Sequence, residues 1–378
     1  MREPPFCPNP HCHLHYASGD PEGRRWYRLD GAFHTLRSGA TQRYRCLHCG
    51  KRFSTSTFSL DFYAKRRIDL YRLRRLLVSG VSIRAAARQL FCSPGSVSRR
   101  VVLLARQSMA AHARLSAHHS LPEALVADGF ESFWVSQYHH NNFNLLCGSE
   151  SQYVYALTSV SLKRSGRMRE RQRRRRERIE ARDPSDPGEL ERSFGQLMEA
   201  ATRVWQGHCG PAVRASGVLF TDEHQTYPKA ILPARASVDI EHRTVSSRVS
   251  RTRDNPLFAV NYIDREIRKD LAEHHRESVC FARNAGHSTA RMWVYLVWHN
   301  IEKPYRISPR SGRAHAEVSG VPAKRLMRER RKLLRERAFL HRCIELSHTQ
   351  RSDWLQLHWT PERENRRNRR VTPDYAAG

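Results

Sequence analysis

The chain has 378 residues, more than one hydrophobic core usually holds, so two or three folded units are expected. Lys and Arg total 66 against 37 Asp and Glu, a formal net charge of +29. This excess predicts a polyanionic partner, with double-stranded DNA the leading candidate. No apolar stretch approaches the roughly 18 residues of a membrane span, and residues 1–10 lack the apolar segment of a signal peptide. Composition thus argues against a membrane or secreted protein and predicts a cytoplasmic, nucleoid-associated one.

Four cysteines are grouped near the start of the chain as a CxxxxC pair followed by a CxxC pair. They are Cys7, Cys12, Cys46 and Cys49. In a reducing compartment this grouping indicates a metal site rather than disulfides, and four thiolates complete the tetrahedral shell of a structural Zn²⁺ ion. We therefore predict a zinc ribbon over residues 1–58. An accidental cluster, or a site that includes His11 or His13, is the alternative.

Residues 59–118 show helical patterning and form the second predicted unit. Helices are expected near residues 68–77 and 82–90, and a third begins at Ser93, with Ser93 as N-cap and Pro94 at the first helical position. The short turn before Ser93 is typical of a helix-turn-helix, whose third helix would reach DNA through its first residues. These are Ser96, Ser98, Arg99 and Arg100. The alternative is an ordinary helical linker.

Two mostly apolar runs lead directly into an aspartate. Residues 124–127 precede Asp128, and residues 218–221 precede Asp222. We interpret each run as a buried strand that ends in a carboxylate. Because aspartate is depleted in strands and rarely buried without a partner or a metal, the two together predict a shared cation site. Each alone could instead form a turn, as Asp128-Gly129 would in a hairpin.

The elements between these aspartates predict the fold class. Strands are expected at residues 143–147 and 153–160, and a helix with regularly spaced apolar residues is expected from Glu189 to about Trp205. The order is strand, strand, strand, helix, strand. It matches the ribonuclease H-like α/β fold, a mixed sheet with flanking helices in which the first and fourth strands lie side by side.

An arginine-rich insertion, residues 163–188, separates the third strand from that helix. Glu170 and Arg174, and likewise Arg173 and Glu177, have the i,i+4 spacing of helical ion pairs. A solvated helical face is therefore favoured over a disordered loop, with DNA-backbone contact as a secondary interpretation.

A zinc ribbon, a helix-turn-helix and two aspartates on such strands resemble the DDE transposases of bacterial insertion sequences. The resemblance covers about residues 1–307. The supporting segments are Ala127-Asp128-Gly129-Phe130-Glu131, Phe220-Thr221-Asp222-Glu223, Asn261 to Arg268, His299-Asn300 and Pro304-Tyr305-Arg306. The resemblance implies that residues 119–307 cleave and join DNA at Mg²⁺ or Mn²⁺ ions held by Asp128 and Asp222. It further implies that the N-terminal units bind the element ends and that a homodimer or higher oligomer assembles on DNA.

Such an enzyme needs a third ligand on a later helix. Val260, Ile263, Ile267 and Leu271 define an apolar stripe there. At about 100° per residue, Asp264 lies on one shoulder of this stripe with Asn261 and Arg268, while Glu266 points elsewhere. Asp264 is thus the first choice for the third ligand, although the family more usually has Glu there. Asn261 would add a ligand or an orienting amide, and Arg268 would pair with Asp264 or hold a phosphate. Glu241, Glu266 and His242 are the fallbacks.

Two other classes of function remain open. One is a DNA-binding protein whose nuclease fold has decayed into a scaffold, and the other is a structure-selective nuclease. The last predicted unit, residues 308–378, contains a basic helix near residues 324–346 and the basic run 366–370. Here a solvated helix with a frayed tail is favoured over a specific DNA or subunit contact.

Overall fold

The chain forms an α/β structure with two separate sheets. The computed structural model describes residues 3–17, 23–35, 39–182, 184–209, 213–275, 280–358 and 360. The basic run 366–370 lies outside the described residues. No helix in the described part of the chain is both long and apolar enough to cross a lipid bilayer.

The smaller sheet lies at the N-terminus and is antiparallel, in the order β1-β2-β3. Its strands are β1 (Tyr27–Thr35), β2 (Gly39–Cys46) and β3 (Arg52–Ser54). Aromatic side chains of Trp26, Tyr27, Tyr44 and Phe53 form a small core with the buried cysteines. This core is separate from the main one, and so few buried side chains would give little stability without a further cross-link.

Three helices follow: α1 (Leu70–Val78), α2 (Ile83–Gln89) and α3 (Pro94–Leu115). The predicted start of α3 is confirmed, because the Ser93 side chain accepts a hydrogen bond from the Ser96 amide and Pro94 occupies the first turn. Asp69 and Ser82 cap α1 and α2 in the same way. The second half of α3 is almost entirely buried, so this helix belongs to the main core as well.

The main sheet has five strands in the order β6-β5-β4-β7-β8. They are β4 (Leu125–Phe133), β5 (His139–Gly148), β6 (Val154–Lys163), β7 (Ser216–Thr221) and β8 (Asp239–Thr244). The first three are antiparallel, while β4, β7 and β8 are parallel. The first and fourth strands therefore pair, as predicted. Strand β8 was not predicted.

Five further helices belong to this part of the chain: α4 (Glu170–Arg182), α5 (Glu189–His208), α6 (Thr226–Ala234), α7 (Phe258–Asp270) and α8 (Ala285–Ile301). Helix α5 packs on β5, β6 and β7. Its predicted apolar positions Phe194, Leu197, Ala201 and Trp205 are buried. Helix α7 packs on β4 and β5.

The C-terminal segment differs from the predicted solvated helix. It contains α9 (His315–Val318), α10 (Ala323–Leu333) and α11 (His348–Leu355). Helix α10 packs on α3, and Leu326, Leu333 and Leu340 are buried. The charge of this segment hid an amphipathic pattern, in which one apolar side is covered while the basic side faces solvent.

The main hydrophobic core is continuous from Leu60 to Trp354. It includes residues on both sides of the predicted unit boundaries at 118 and 307. The helices of the second unit, the main sheet and the C-terminal helices therefore share one core.

Candidate active site and metal centre

The four grouped cysteines come together at one end of the small sheet. The Sγ atoms of Cys7 and Cys49 are 3.6 Å apart, and those of Cys12 and Cys46 are 4.0 Å apart. All four sulfurs lie within 4.8 Å of one another. Sulfurs at 2.3 Å from a tetrahedral zinc ion are separated by about 3.8 Å. The predicted cluster thus has the donor set and spacing for a structural metal such as Zn²⁺, and neither His11 nor His13 belongs to it.

The protonation of these thiols differs with their surroundings. Burial raises the pKa of Cys7 well above its usual range and that of Cys12 to about 11. Burial acts the same way on Cys49, but hydrogen bonds from the Asn9 side chain and the Lys51 backbone outweigh it and lower its pKa to about 7. A bound cation would stabilise all four thiolates, so metal binding here releases protons.

Asp128 lies in the middle of β4, so the predicted strand end at this residue is wrong. The strand continues to Phe133 because β4 stays paired with β5 along its whole length. The alternative hairpin turn at Gly129 is excluded for the same reason. One Asp128 carboxylate oxygen accepts a hydrogen bond from the Gly129 amide at 2.7 Å.

Alternation along the strand fixes the side on which Asp128 lies. Paired residues on neighbouring strands share a face, and successive residues alternate. Asn144 pairs with residue 129 and donates a hydrogen bond to Ser193 of α5. Asp128 therefore faces away from α5, toward the side on which α7 packs against β4.

Asp222 follows directly after β7, as predicted, and accepts a hydrogen bond from the His224 amide at 3.0 Å. In the parallel pair, Val126 of β4 is in register with Phe220 of β7. Asp128 and Asp222 each come two residues later. Register alone thus brings the two aspartates to neighbouring positions on strands about 4.8 Å apart.

Asp264 projects from α7 into the same region. Its Oδ1 atom is buried and has no hydrogen-bond partner among the described residues. Burial raises the pKa of Asp264 to about 8, and the charge of Asp128 adds to the shift. Burial likewise raises the pKa of Asp128 to about 6, with a contribution from Asp222. The charge of Asp128 therefore interacts with those of both other predicted carboxylates, Asp222 and Asp264.

The three carboxylates do not all lie within the spacing of a single-ion site. Among the described residues, only the cysteine cluster brings three or more potential ligand atoms within 4.8 Å of one another. Two cations about 4 Å apart do not require such spacing, because the outer ligands bind different ions.

Two further predicted residues lie on the same helix. Asn261 is one turn before Asp264 and is partly buried. Arg268 donates hydrogen bonds to the backbone carbonyls of Glu131 and His274 at 3.1 and 3.2 Å. Its positive charge offsets a part of the rise in the pKa of Asp264. Arg268 thus ties α7 to β4.

The fallback ligands have other partners. Glu266 is buried and accepts from Lys303 at 2.6 Å and Lys269 at 2.8 Å. On β8, Glu241 pairs with Arg243, and His242 bonds to the Thr221 hydroxyl at 2.8 Å. By contrast, the buried Oδ1 atom of Asp264 has no hydrogen-bond partner among the described residues.

The four predicted DNA-binding residues do not share one environment. Ser96 and Ser98 are partly buried and Arg99 is exposed. Arg100 is only 7% exposed, and donates to the Leu60 carbonyl at 2.7 Å and to Asp61 at 2.9 Å. Its role as a DNA contact is therefore a wrong prediction. Its position on the core side of α3 explains why, because the partner carboxylate lies far away in the sequence.

Two further features of the structure involve residues that the sequence did not single out. Arg84 and Arg88 are exposed on α2, one turn apart. The Tyr227 hydroxyl is buried without a partner among the described residues, and its ring stacks on Phe194 with centroids 4.2 Å apart. Burial, and then the charges of all three carboxylates, raise the pKa of Tyr227. Spacing of charge on α2 could have indicated the arginines, whereas nothing local distinguishes this tyrosine.

No known family model matches the chain, and no curated protein matches it.

Proposed function

We propose that this protein is a DDE-type DNA transposase, which binds the terminal repeats of its insertion sequence and catalyses phosphodiester hydrolysis and strand transfer. The observation that carries the proposal is the convergence of Asp128, Asp222 and Asp264 from two parallel strands and a helix. The raised pKa values of Asp128 and Asp264 support it, since each rises partly through another of these carboxylates.

The strand order supports a ribonuclease H-like assignment. Strand β4 is central, with antiparallel β5 and β6 on one side and parallel β7 and β8 on the other. Helices α5 and α7 cover opposite faces. In such a sheet the first and fourth strands are neighbours, which is the arrangement that sets Asp128 beside Asp222.

The chemistry of the donor set fits a pair of hard cations. Three carboxylates offer the oxygen ligands that Mg²⁺ and Mn²⁺ prefer, and the buried oxygen of Asp264 lacks a partner among the described residues. Asp128 would bridge the ions, Asp222 would hold one and Asp264 the other, with Asn261 orienting Asp264 or adding a ligand. When bound, the cations would activate a water or 3′-hydroxyl and neutralise the leaving oxygen.

DNA recognition would fall to the N-terminal units. The sequence of α2, a short turn and α3 supports a helix-turn-helix, with exposed Arg84, Arg88 and Arg99 near its turn. The net charge of +29 supports a polyanionic partner.

Arg268 donates to two backbone carbonyls and so positions α7, and hence Asp264, against β4.

The test is a cleavage and joining assay on DNA that carries both flanks of the gene. Wild-type protein with Mg²⁺ is expected to cut at the element ends and to join the new 3′-hydroxyl ends to target DNA. Asp128→Ala is expected to lose both steps, by about 10³-fold or more, while it retains DNA binding. Asp239→Asn, an exposed carboxylate at the start of β8, is the control and should remain active.

Three other results would contradict the proposal. Tight DNA binding by wild type without cutting would instead favour a DNA-binding protein whose nuclease fold has decayed. Asp264 is the feature that supports this alternative, because the family more usually has glutamate at this position. Cutting without joining would indicate a nuclease. Equal activity of wild type and Asp128→Ala would remove the carboxylates from the reaction.

A further inference from the structure

Helix α4 has no buried residue, although it lies between two elements of the main sheet and its covering helices. Its 13 residues include seven arginines and three glutamates. A helix that is polar all round depends on its own side-chain pairs or on something outside the fold. Ion pairs of Glu170 with Arg173 and Arg174 supply a part of this support.

The charges of α4 are separated onto two sides. At 100° per residue, four arginines fall within an arc of about 60°. They are Arg171, Arg175, Arg178 and Arg182, and we refer to them as the arginine stripe. All four are exposed, and none forms an ion pair with another described residue. The three glutamates lie on the other side of the helix, so the arginine stripe repels itself without compensation.

The helix is fastened at a defined place on the main sheet. Glu180 lies 3.7 Å from Lys163 at the end of β6 and accepts from the Ser185 hydroxyl at 2.6 Å. Arg175 and Arg164 both lie over the Tyr138 ring, at 4.9 and 5.0 Å from its centroid. Tyr138 immediately precedes β5.

These attachments lie at the end of the sheet where Asp222 is found. The end of β4, the start of β5 and the end of β6 are paired with one another. Strand β7 runs parallel to β4, so its end, followed by Asp222, points the same way. Helix α4 therefore leaves the sheet on the side toward which β7 ends, just before Asp222, whereas Asp128 lies five residues before the end of β4.

We infer that the arginine stripe binds the phosphate backbone of double-stranded DNA as it enters the carboxylate site. The inference rests on the proposed function for the identity of the substrate. Duplex DNA carries one charge per about 1.7 Å of its axis, and the stripe extends over about 17 Å. A row of guanidinium groups on one helix face suits such a charged edge, because each can hold a phosphate through two hydrogen bonds. Binding would relieve the repulsion within the stripe.

The test compares two double variants that remove the same charge from the same helix. Arg171→Gln/Arg178→Gln alters the stripe, while Arg173→Gln/Arg174→Gln alters the side that pairs with Glu170. The probe is a 30-base-pair duplex of mixed sequence, titrated at several salt concentrations without added divalent cation. Circular dichroism and thermal unfolding check that each variant keeps the fold.

The stripe variant is expected to bind about tenfold more weakly at low salt. Its plot of log affinity against log salt should be shallower by about two, because each lost phosphate contact removes about 0.9 from the slope. The control pair should change the slope by less than about 0.5. Equal changes in both variants would overturn the inference, since they would reflect net charge alone. A larger stripe-dependent effect on a 30-nucleotide single strand than on the duplex would overturn the choice of duplex DNA.

This measurement separates the inference from the proposed function. If cleavage and joining fail in the wild type while the stripe effect is seen, the catalytic proposal is wrong and the DNA surface stands. If the stripe effect is absent in an active enzyme, only the surface is wrong.

Discussion

At the residue scale, Asp128 and Asp264 hold protons more tightly in the folded chain than in an unfolded one. Burial is the main cause for both, and a neighbouring carboxylate adds to it. A carboxyl group whose pKa is raised on folding contributes most stability below its unfolded pKa, near 4. That contribution is lost as pH rises through the folded pKa values, about 6 for Asp128 and about 8 for Asp264.

The protein without divalent cations in this site should therefore lose stability between about pH 4 and pH 8. Asp264→Asn removes the titrating group, so its free energy of unfolding should exceed that of wild type at pH 8, by at least about 1 kcal/mol. Urea unfolding at pH 5 and pH 8 measures the difference. Asp239→Asn is the control. If the free energies of unfolding of wild type and Asp264→Asn changed in parallel with pH, ionisation of Asp264 would not destabilise the folded protein.

Glu266 illustrates the opposite case, a buried carboxylate with partners. Lys303→Met removes the buried partner of Glu266 and leaves the more exposed Lys269 at 2.8 Å. A buried charge left without any partner costs about 3 kcal/mol or more, so a smaller loss of stability is expected here. Denaturant unfolding of Lys303→Met should show this loss, and Glu266→Gln/Lys303→Met should recover a large part of it. If the double variant were no more stable than Lys303→Met, the methionine side chain would be the cause of the loss, and the weakened pairing of Glu266 would not.

The sequence predicted the directions of some side chains better than their surroundings. Periodicity on α7 predicted that Asp264 and Glu266 lie on different sides, and in the structure Glu266 contacts Lys303 whereas Asp264 interacts with Asp128. It could not predict that Arg100 is buried against Asp61, or that Tyr227 lies near three carboxylates, because both depend on contacts between distant segments. The alternation of apolar residues also did not predict that β4 continues beyond Asp128, because the pairing with β5 maintains the strand there.

At the element scale, local chemical signals were the most reliable. The Ser93-Pro94 pair predicted the first residue of α3, and the apolar spacing of α5 predicted its buried face. Strand β8 was not predicted because its sequence, Asp239–Thr244, is mostly polar and exposed. Its place at the edge of the sheet requires only one apolar anchor, Ile240.

The small N-terminal sheet has few buried side chains and should depend on its metal. Removal of zinc by a strong chelator is expected to expose the amides of β1, β2 and β3 to hydrogen exchange while β4, β5 and β6 stay protected. Cys46→Ser should have the same effect without a chelator. Mass spectrometry of exchanged peptides measures both. Unchanged protection of the small sheet after complete metal removal would mean that its aromatic core suffices.

At the scale of the whole molecule, the C-terminal segment connects the other parts. Arg337 donates to the Thr57 carbonyl at 2.9 Å, and the Phe339 ring contacts Phe6 with centroids 5.0 Å apart. The buried Trp354 packs in the main core beside α3 and α8. Sequence composition could not predict this, because the segment reads as a basic tail and its contacts are almost all long-range.

Trp354→Ala should therefore destabilise the main core rather than only the C-terminal helices. Loss of a fully buried tryptophan costs about 3–5 kcal/mol, and the shared core predicts one cooperative transition at lower denaturant concentration. Ile344→Ala, at an exposed position of the same segment, should have little effect. A separate early transition in Trp354→Ala, with the main sheet unfolding as in wild type, would show that the C-terminal helices form an independent unit.

Binding of Mn²⁺ to the zinc-loaded protein tests the central claim most directly, because it requires no knowledge of the DNA sequence. Calorimetric or electron paramagnetic resonance titration should give two ions per chain in the wild type and in Asp239→Asn. Asp128→Asn, which alters the proposed bridging ligand, should lose both sites and keep its fold. Wild-type protein that binds no Mn²⁺, or Asp128→Asn that binds as many ions as the wild type, would contradict the two-cation site.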